Sequence, residues 1–154
     1  MGGQVERRLK MVAESSMLKP YEEKIRKMVK SRASKLWSAV ETARKRACDT
    51  KCKHILSSEL LYYGGIAREL GNIANLAFSE EVKIEPKEMC VPRVDLEVQR
   101  LKGRVNDVLA QVDKLDLDKL EWLLYRLEGI MAMSKGKDPY LAEESLRKRL
   151  EDED

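Results

Sequence analysis

Apolar positions recur at helical spacing along most of this chain, and the pattern predicts an all-α protein. The most informative stretch runs from Pro20 to about His54. It has no glycine, one proline at its first position, and Glu22 and Glu23 where a helix N-terminus favours negative charge. It predicts one continuous helix of about nine turns, about 50 Å long at ~1.5 Å per residue. Ile25, Val29, Leu36, Val40, Ala43 and Ala47 fall on one side, with Arg32 the one charged residue inside that stripe. Lys24, Lys27, Ser31, Ser34, Lys35, Ser38, Thr42 and Lys45 fall on the opposite side. Arg26, Lys30, Trp37, Arg44 and Lys51 lie between the two.

The flanking segments extend this picture. Residues 4–19 predict a first helix with Val5, Leu9, Val12 and Met17 on one side, and Pro20 bends the chain between the two helices. From Leu60 to Phe78 the apolar density is high enough for a central helix or a subunit interface. Gly64, Gly65 and Gly71 within it mark places where another helix backbone passes closely. Ser57 or Ser58 is its candidate cap. Residues 79–93 carry two prolines and predict the longest loop, with a short extended piece at Val82–Ile84. Val94, Val98, Leu101, Val105, Val108, Val112 and Leu115 then form a heptad seam, whose commoner origin at this length is antiparallel packing within a bundle. Asp116 or Asp118 caps the next helix, Gly136 stops it, and Asp138 and Pro139 open a last one. The expected organisation is a long bent N-terminal helical arm (1–55), a small helical bundle (56–150) and an acidic tail (151–154).

Charge changes the picture more than composition does. Of 154 residues, 43% are apolar but only 5% aromatic, so the core is aliphatic. The 37% of charged residues suits a protein from a thermophile. The net charge of +3 hides an asymmetry: fifteen Lys/Arg stand against six Asp/Glu up to Ile55, and fifteen against twenty-one beyond it. A basic first third on an acidic remainder suggests a polyanion-binding element joined to a self-associating body. No signal peptide and no membrane-spanning run is read from the sequence, so a soluble protein inside a cell, or one assembled there, is expected.

The face of Lys24, Lys27, Ser31, Ser34, Lys35, Ser38, Thr42 and Lys45 is unlike an ordinary solvated helix face, which mixes Glu with Lys at i,i+4. Only Glu41 interrupts, at its edge. Short hydroxyl side chains let a sugar-phosphate backbone approach and donate to its oxygens, while Lys and Arg supply charge. The competing reading is a solvated face of a charge-rich protein. Trp37 either stacks on an exposed base or packs on a neighbouring helix, and packing is the commoner fate of a Trp beside an apolar stripe. Cys48, Cys52, His54 and Cys90 hold the residue types of a zinc site, but their spacing matches no common zinc motif. A disulfide from Cys90 to Cys48 or Cys52 and unpaired thiols are the alternatives. The single His and the three Cys form no nucleophilic triad, so neither enzymatic activity, a cofactor nor a small-molecule substrate is expected.

A bent basic two-helix arm followed by a smaller helical bundle resembles the coat proteins of filamentous viruses of hyperthermophilic archaea. The match covers the Val5–Lys19 segment, the Pro20 bend, the Lys24–Lys53 helix and the bundle from Leu60. It is one of architecture, without a shared motif, and the acidic second half exceeds what it requires. The resemblance implies subunits that wrap double-stranded DNA with their N-terminal helices and build a filament through their bundles, with a second copy or a homologous subunit as partner. Arg7, Arg8, Lys27, Lys30, Ser31, Ser34, Lys35, Ser38 and Lys45 would then touch phosphates without reading sequence. Lys24 and Thr42 of the same face, and Arg26 and Arg44 beside it, are expected to bind the nucleic acid as well. Arg32 would pair with an acid of the next subunit or reach the nucleic acid. Two other functions fit the same residues: a small all-helical subunit of an RNA-guided interference complex, and an interaction bundle that binds no nucleic acid.

Overall fold

Ser34 interrupts the long N-terminal helix. Its hydroxyl donates to the Ser31 carbonyl at 2.7 Å, the acceptor that the Lys35 N–H would use in an unbroken α-helix. That N–H turns instead to the Arg32 carbonyl at 3.0 Å, and the regular pattern resumes where Ala39 N–H donates to the Lys35 carbonyl at 3.0 Å. Two helices therefore replace the expected single one: α1 over residues 19–33 and α2 over Leu36–Asp49. The apolar periodicity passes through the interruption undisturbed, which is why the pattern alone does not reveal it.

The computed structural model describes residues 19–49, 57–79 and 82–152. Four further helices follow: α3 (Ser58–Ala74), α4 (Val91–Leu109), α5 (Leu117–Ser134) and α6 (Pro139–Asp152). Two short 3-10 helices lie at Pro86–Glu88 and Val112–Lys114, and no strand occurs among the described residues. The extended piece expected at Val82–Ile84 is not paired as a strand. The expected helix over 4–19 lies outside the described residues apart from Lys19, which already belongs to α1. The acidic tail begins as the last turn of α6, which runs through Asp152.

Local chemistry explains the ends. Ser57 caps α3 by accepting from the Leu60 N–H at 3.1 Å, and Asp116 caps α5 by accepting from the Lys119 N–H at 3.0 Å. Pro92 occupies the first turn of α4, where its missing N–H costs nothing, so this helix starts ahead of the seam at Val94. Gly136 follows α5 with φ of 71°, and the Asp138 carboxylate accepts from the Tyr140 N–H at 2.8 Å to open α6.

The protein is an all-helical bundle. α3 packs on α4 and α5, α5 on α6, and α2 on α3 and α5. The stripe of Ile25, Val29, Leu36, Val40, Ala43 and Ala47 is buried in the same core as Ile66, Leu70, Ile73, Leu101, Leu120, Leu124 and Leu127. Each fully buried Ile, Val or Leu contributes about 1.5–3 kcal/mol. The part of the expected arm within the described residues thus lies along the bundle. Val94, Val98, Leu101, Val105, Val108 and Val112 are all buried, as an intramolecular seam requires, while Leu115, the last seam residue, is half-buried, and it and Val112 lie beyond the end of α4. α2 and α4 run antiparallel: Trp37 meets Asn106, and seven residues on, Arg44 meets Asp95. Side chains, not a helix backbone, crowd the α3 glycines. A Cβ on Gly64 would lie 2.8 Å from Met89, one on Gly65 2.9 Å from Met133, and one on Gly71 2.8 Å from Val82.

Candidate nucleic-acid interface

Burial of the apolar stripe fixes the orientation of the opposite side of α1 and α2. Lys27, Ser31, Ser34, Lys35, Ser38, Thr42 and Lys45 are all exposed, and Lys24 is half-buried at the margin. Among the described residues no carboxylate forms an ion pair with Lys27, Lys35 or Lys45. Their positions step along the outer surface at about 12 Å and about 15 Å, at ~1.5 Å per residue. Two of the hydroxyls have committed their protons: Ser34 to the Ser31 carbonyl, and Thr42 to the Ser38 carbonyl at 3.0 Å. Those of Ser31 and Ser38 make no such bond among the described residues.

The other basic residues of the stretch are held by the chain itself. Arg26 is buried, 9% exposed, and donates to the carbonyls of Val112 at 3.3 Å and Leu115 at 3.0 Å, with Glu22 and Glu23 as ion-pair partners. Lys30 pairs with Asp113 at 2.6 Å, and its ammonium holds that carboxyl below the ordinary range by hydrogen bond and charge. Arg32 donates through Nε to Glu128, so its acidic partner is in its own chain. Arg44 donates to Asp95 at 2.9 Å, which raises the guanidinium pKa further, and its Nη1 lies 3.8 Å from Glu41. Asp95 also accepts the Tyr63 hydroxyl proton at 2.5 Å. Burial first, then this bond, pushes the phenol well above the ordinary tyrosine value. Trp37 donates its indole N–H to Asn106 at 2.8 Å and carries the Lys102 ammonium 5.2 Å from its ring centre, so it packs against α4.

The sequence-predicted residues therefore divide. Lys27, Ser31, Lys35, Ser38 and Lys45 form one solvent-facing strip, with Ser34 and Thr42 beside it. Arg26, Lys30, Arg32 and Arg44 serve intrachain contacts. Arg7 and Arg8 lie outside the described residues. Residues far away in sequence extend the positive strip. Beside the Ser34 interruption is a cleft of about 260 Å3 between α1, α5 and α6, to which Lys135 and Arg149 contribute. Both come from the acidic half of the chain, where no periodicity signals a shared site with Lys35.

Of the possible zinc ligands, Cys48 and Cys90 are free and exposed. Cys52 and His54 lie outside the described residues. Among the described residues no group of three or more His, Cys, Asp or Glu side chains is placed to hold a metal ion. No helix among them is long and apolar enough to cross a membrane. Comparison with protein-family models, with curated proteins and with solved structures found no match.

Proposed function

We propose that the chain binds the phosphate backbone of nucleic acid, without reading its sequence, through the outer face of α1 and α2. The observation that carries this reading is the contrast within one stretch. Arg26, Lys30, Arg32 and Arg44 are all neutralised within the chain, whereas Lys27, Lys35 and Lys45 are exposed and unmatched by any described carboxylate. Small hydroxyl residues between the lysines keep the surface low enough for a backbone to lie along it. Double-stranded DNA is the partner favoured by the coat-protein resemblance, and assembly of subunits along the duplex is the form that resemblance gives to the function. No catalytic step is assigned.

The direct experiment is a fluorescence-anisotropy titration of two duplexes of unrelated sequence across a range of salt. Equal affinities are expected, with log K falling against log salt at about −0.9 for each phosphate neutralised, hence about −3 for Lys27, Lys35 and Lys45 alone. Absence of salt-dependent binding overturns the reading. Electron microscopy of the complex, before and after nuclease, tests assembly: long nuclease-resistant filaments support a coat role, and discrete particles oppose it.

A second reading, an interaction bundle without nucleic acid, draws on one observation. Leu96, Tyr140 and Leu141 are 67%, 78% and 65% exposed, large apolar side chains that stand mostly open among the described residues.

A further inference from the structure

Four cations and a single carboxylate line one cleft where α1 gives way to α2. Ser31, Arg32, Lys35, Glu128, Lys135 and Arg149 line the cleft, above the half-buried Met131. Glu128 is only 13% exposed and accepts from Arg32 Nε, while its other oxygen lies 4.0 Å from Arg149 Nη2. Holding Arg32 by Nε leaves its two terminal nitrogens without an acceptor among the described residues. Those are the nitrogens that grip a phosphate as a planar fork. Lys135 closes α5 as its C-cap, and Arg149 stands in the last turn of α6, so three helices bring charge to one place.

Two other clefts among the described residues differ in balance. The one beside Tyr125 and Tyr140 is lined by Glu143, Glu144 and Arg147, and the one beside Gly65 by two arginines and two glutamates. One carboxylate among four cations leaves like charges facing each other, an arrangement that an added anion relieves.

We propose that this cleft is a phosphate-binding site, and that a nucleic-acid backbone lying on α1 and α2 enters it and continues onto α5 and α6. The inference rests on the nucleic-acid reading above and adds to it a path, a second contact region and two residues, Lys135 and Arg149. The Ser34 interruption borders the site, since Ser31 and Lys35 on either side of it both line the cleft. Glu128 is a positioning residue that orients Arg32.

The test compares the full chain with Lys135→Ala/Arg149→Ala in the salt titration with duplex DNA, with Lys148→Ala as control. Lys148 is exposed on α6, 4.0 Å from Glu144 and outside the cleft. Thermal melting establishes that each variant is folded. The expected result is a salt slope shallower by about 2 in the double variant, about one unit per cation, and an unchanged slope in the control. Inorganic phosphate should compete more weakly against the double variant than against the parent. Strong binding with the same slope in both overturns the cleft site and leaves the outer face of α1 and α2 standing. Failure of the parent chain to bind DNA overturns both.

Discussion

The Nε–H of Arg26 donates to the carbonyl oxygen of Val112 at 3.3 Å, tying α1 to the turn that follows α4. A second bond from the same guanidinium reaches the Leu115 carbonyl at 3.0 Å, so one buried cation bonds two carbonyls, of which that of Val112 also accepts from the Leu115 N–H at 3.2 Å. Arg26→Met keeps most of the packing and removes both donors. It should cost about 1–3 kcal/mol in urea denaturation. The neighbouring Lys27→Ala should change stability by less than about 0.5 kcal/mol. DNA affinity should respond in the opposite order, weakened by the Lys27 change and unaltered in folded Arg26→Met.

Tyr63 and Asp95 couple α3 to α4 in a way that depends on pH. The phenol pKa is raised in the folded state, by burial and by the bond to Asp95. The stabilisation is therefore complete below the unfolded tyrosine value of about 10 and is lost as pH rises toward the higher folded value. Urea midpoints should fall above about pH 10 for the parent chain and fall less steeply for Tyr63→Phe. At pH 7 that variant should lose about 1.5 kcal/mol.

Asp113 holds the Lys30 ammonium in an ion pair at 2.6 Å. Its carboxyl is held below the ordinary range by the Lys30 ammonium, so its contribution to stability is present above about pH 4 and lost as the pH falls through the lower folded value. Asp113→Asn should flatten the acid limb of the stability profile. It should also tighten DNA binding and steepen the salt slope by about 1, because the exposed Lys30 loses its carboxylate partner. Binding weakened by this change would contradict the placement of the backbone over α1.

Two glycines should respond in opposite senses to the same substitution. A Cβ on Gly103 of α4 meets nothing within 4 Å, and Gly103→Ala should raise stability by about 1 kcal/mol through helix propensity. At Gly71 the new methyl would lie 2.8 Å from Val82 Cγ2, a stiff β-branched neighbour, and Gly71→Ala should cost about 1–3 kcal/mol. Thermal melts of the two variants decide the matter.

Much of the fold could be read from residue types at short range. The Ser57 and Asp116 caps, the Gly136 stop, the Asp138–Pro139 start and the Val94–Val112 seam each depend on chemistry within one or two turns, and each is in place. The break at Ser34 was not legible, because a side-chain hydroxyl competing for one carbonyl leaves no mark on apolar periodicity. The candidate face was legible only as a superset. Which of Lys27, Lys30, Arg32, Lys35 and Arg44 is free depends on Asp113, Glu128 and Asp95, partners that only tertiary packing brings near. Lys135 and Arg149 were hidden for the converse reason, since charge averaged along the acidic half conceals a local positive cluster.

The central claim is that unmatched lysines on the outer face of α1 and α2 bind a nucleic-acid backbone. The most direct measurement is duplex binding by Lys27→Glu/Lys35→Glu/Lys45→Glu beside the parent chain, from about 50 to 200 mM salt, with circular dichroism of both. The account predicts unchanged helicity and loss of salt-dependent binding wherever the parent binds. Unchanged affinity in a folded triple variant would contradict it.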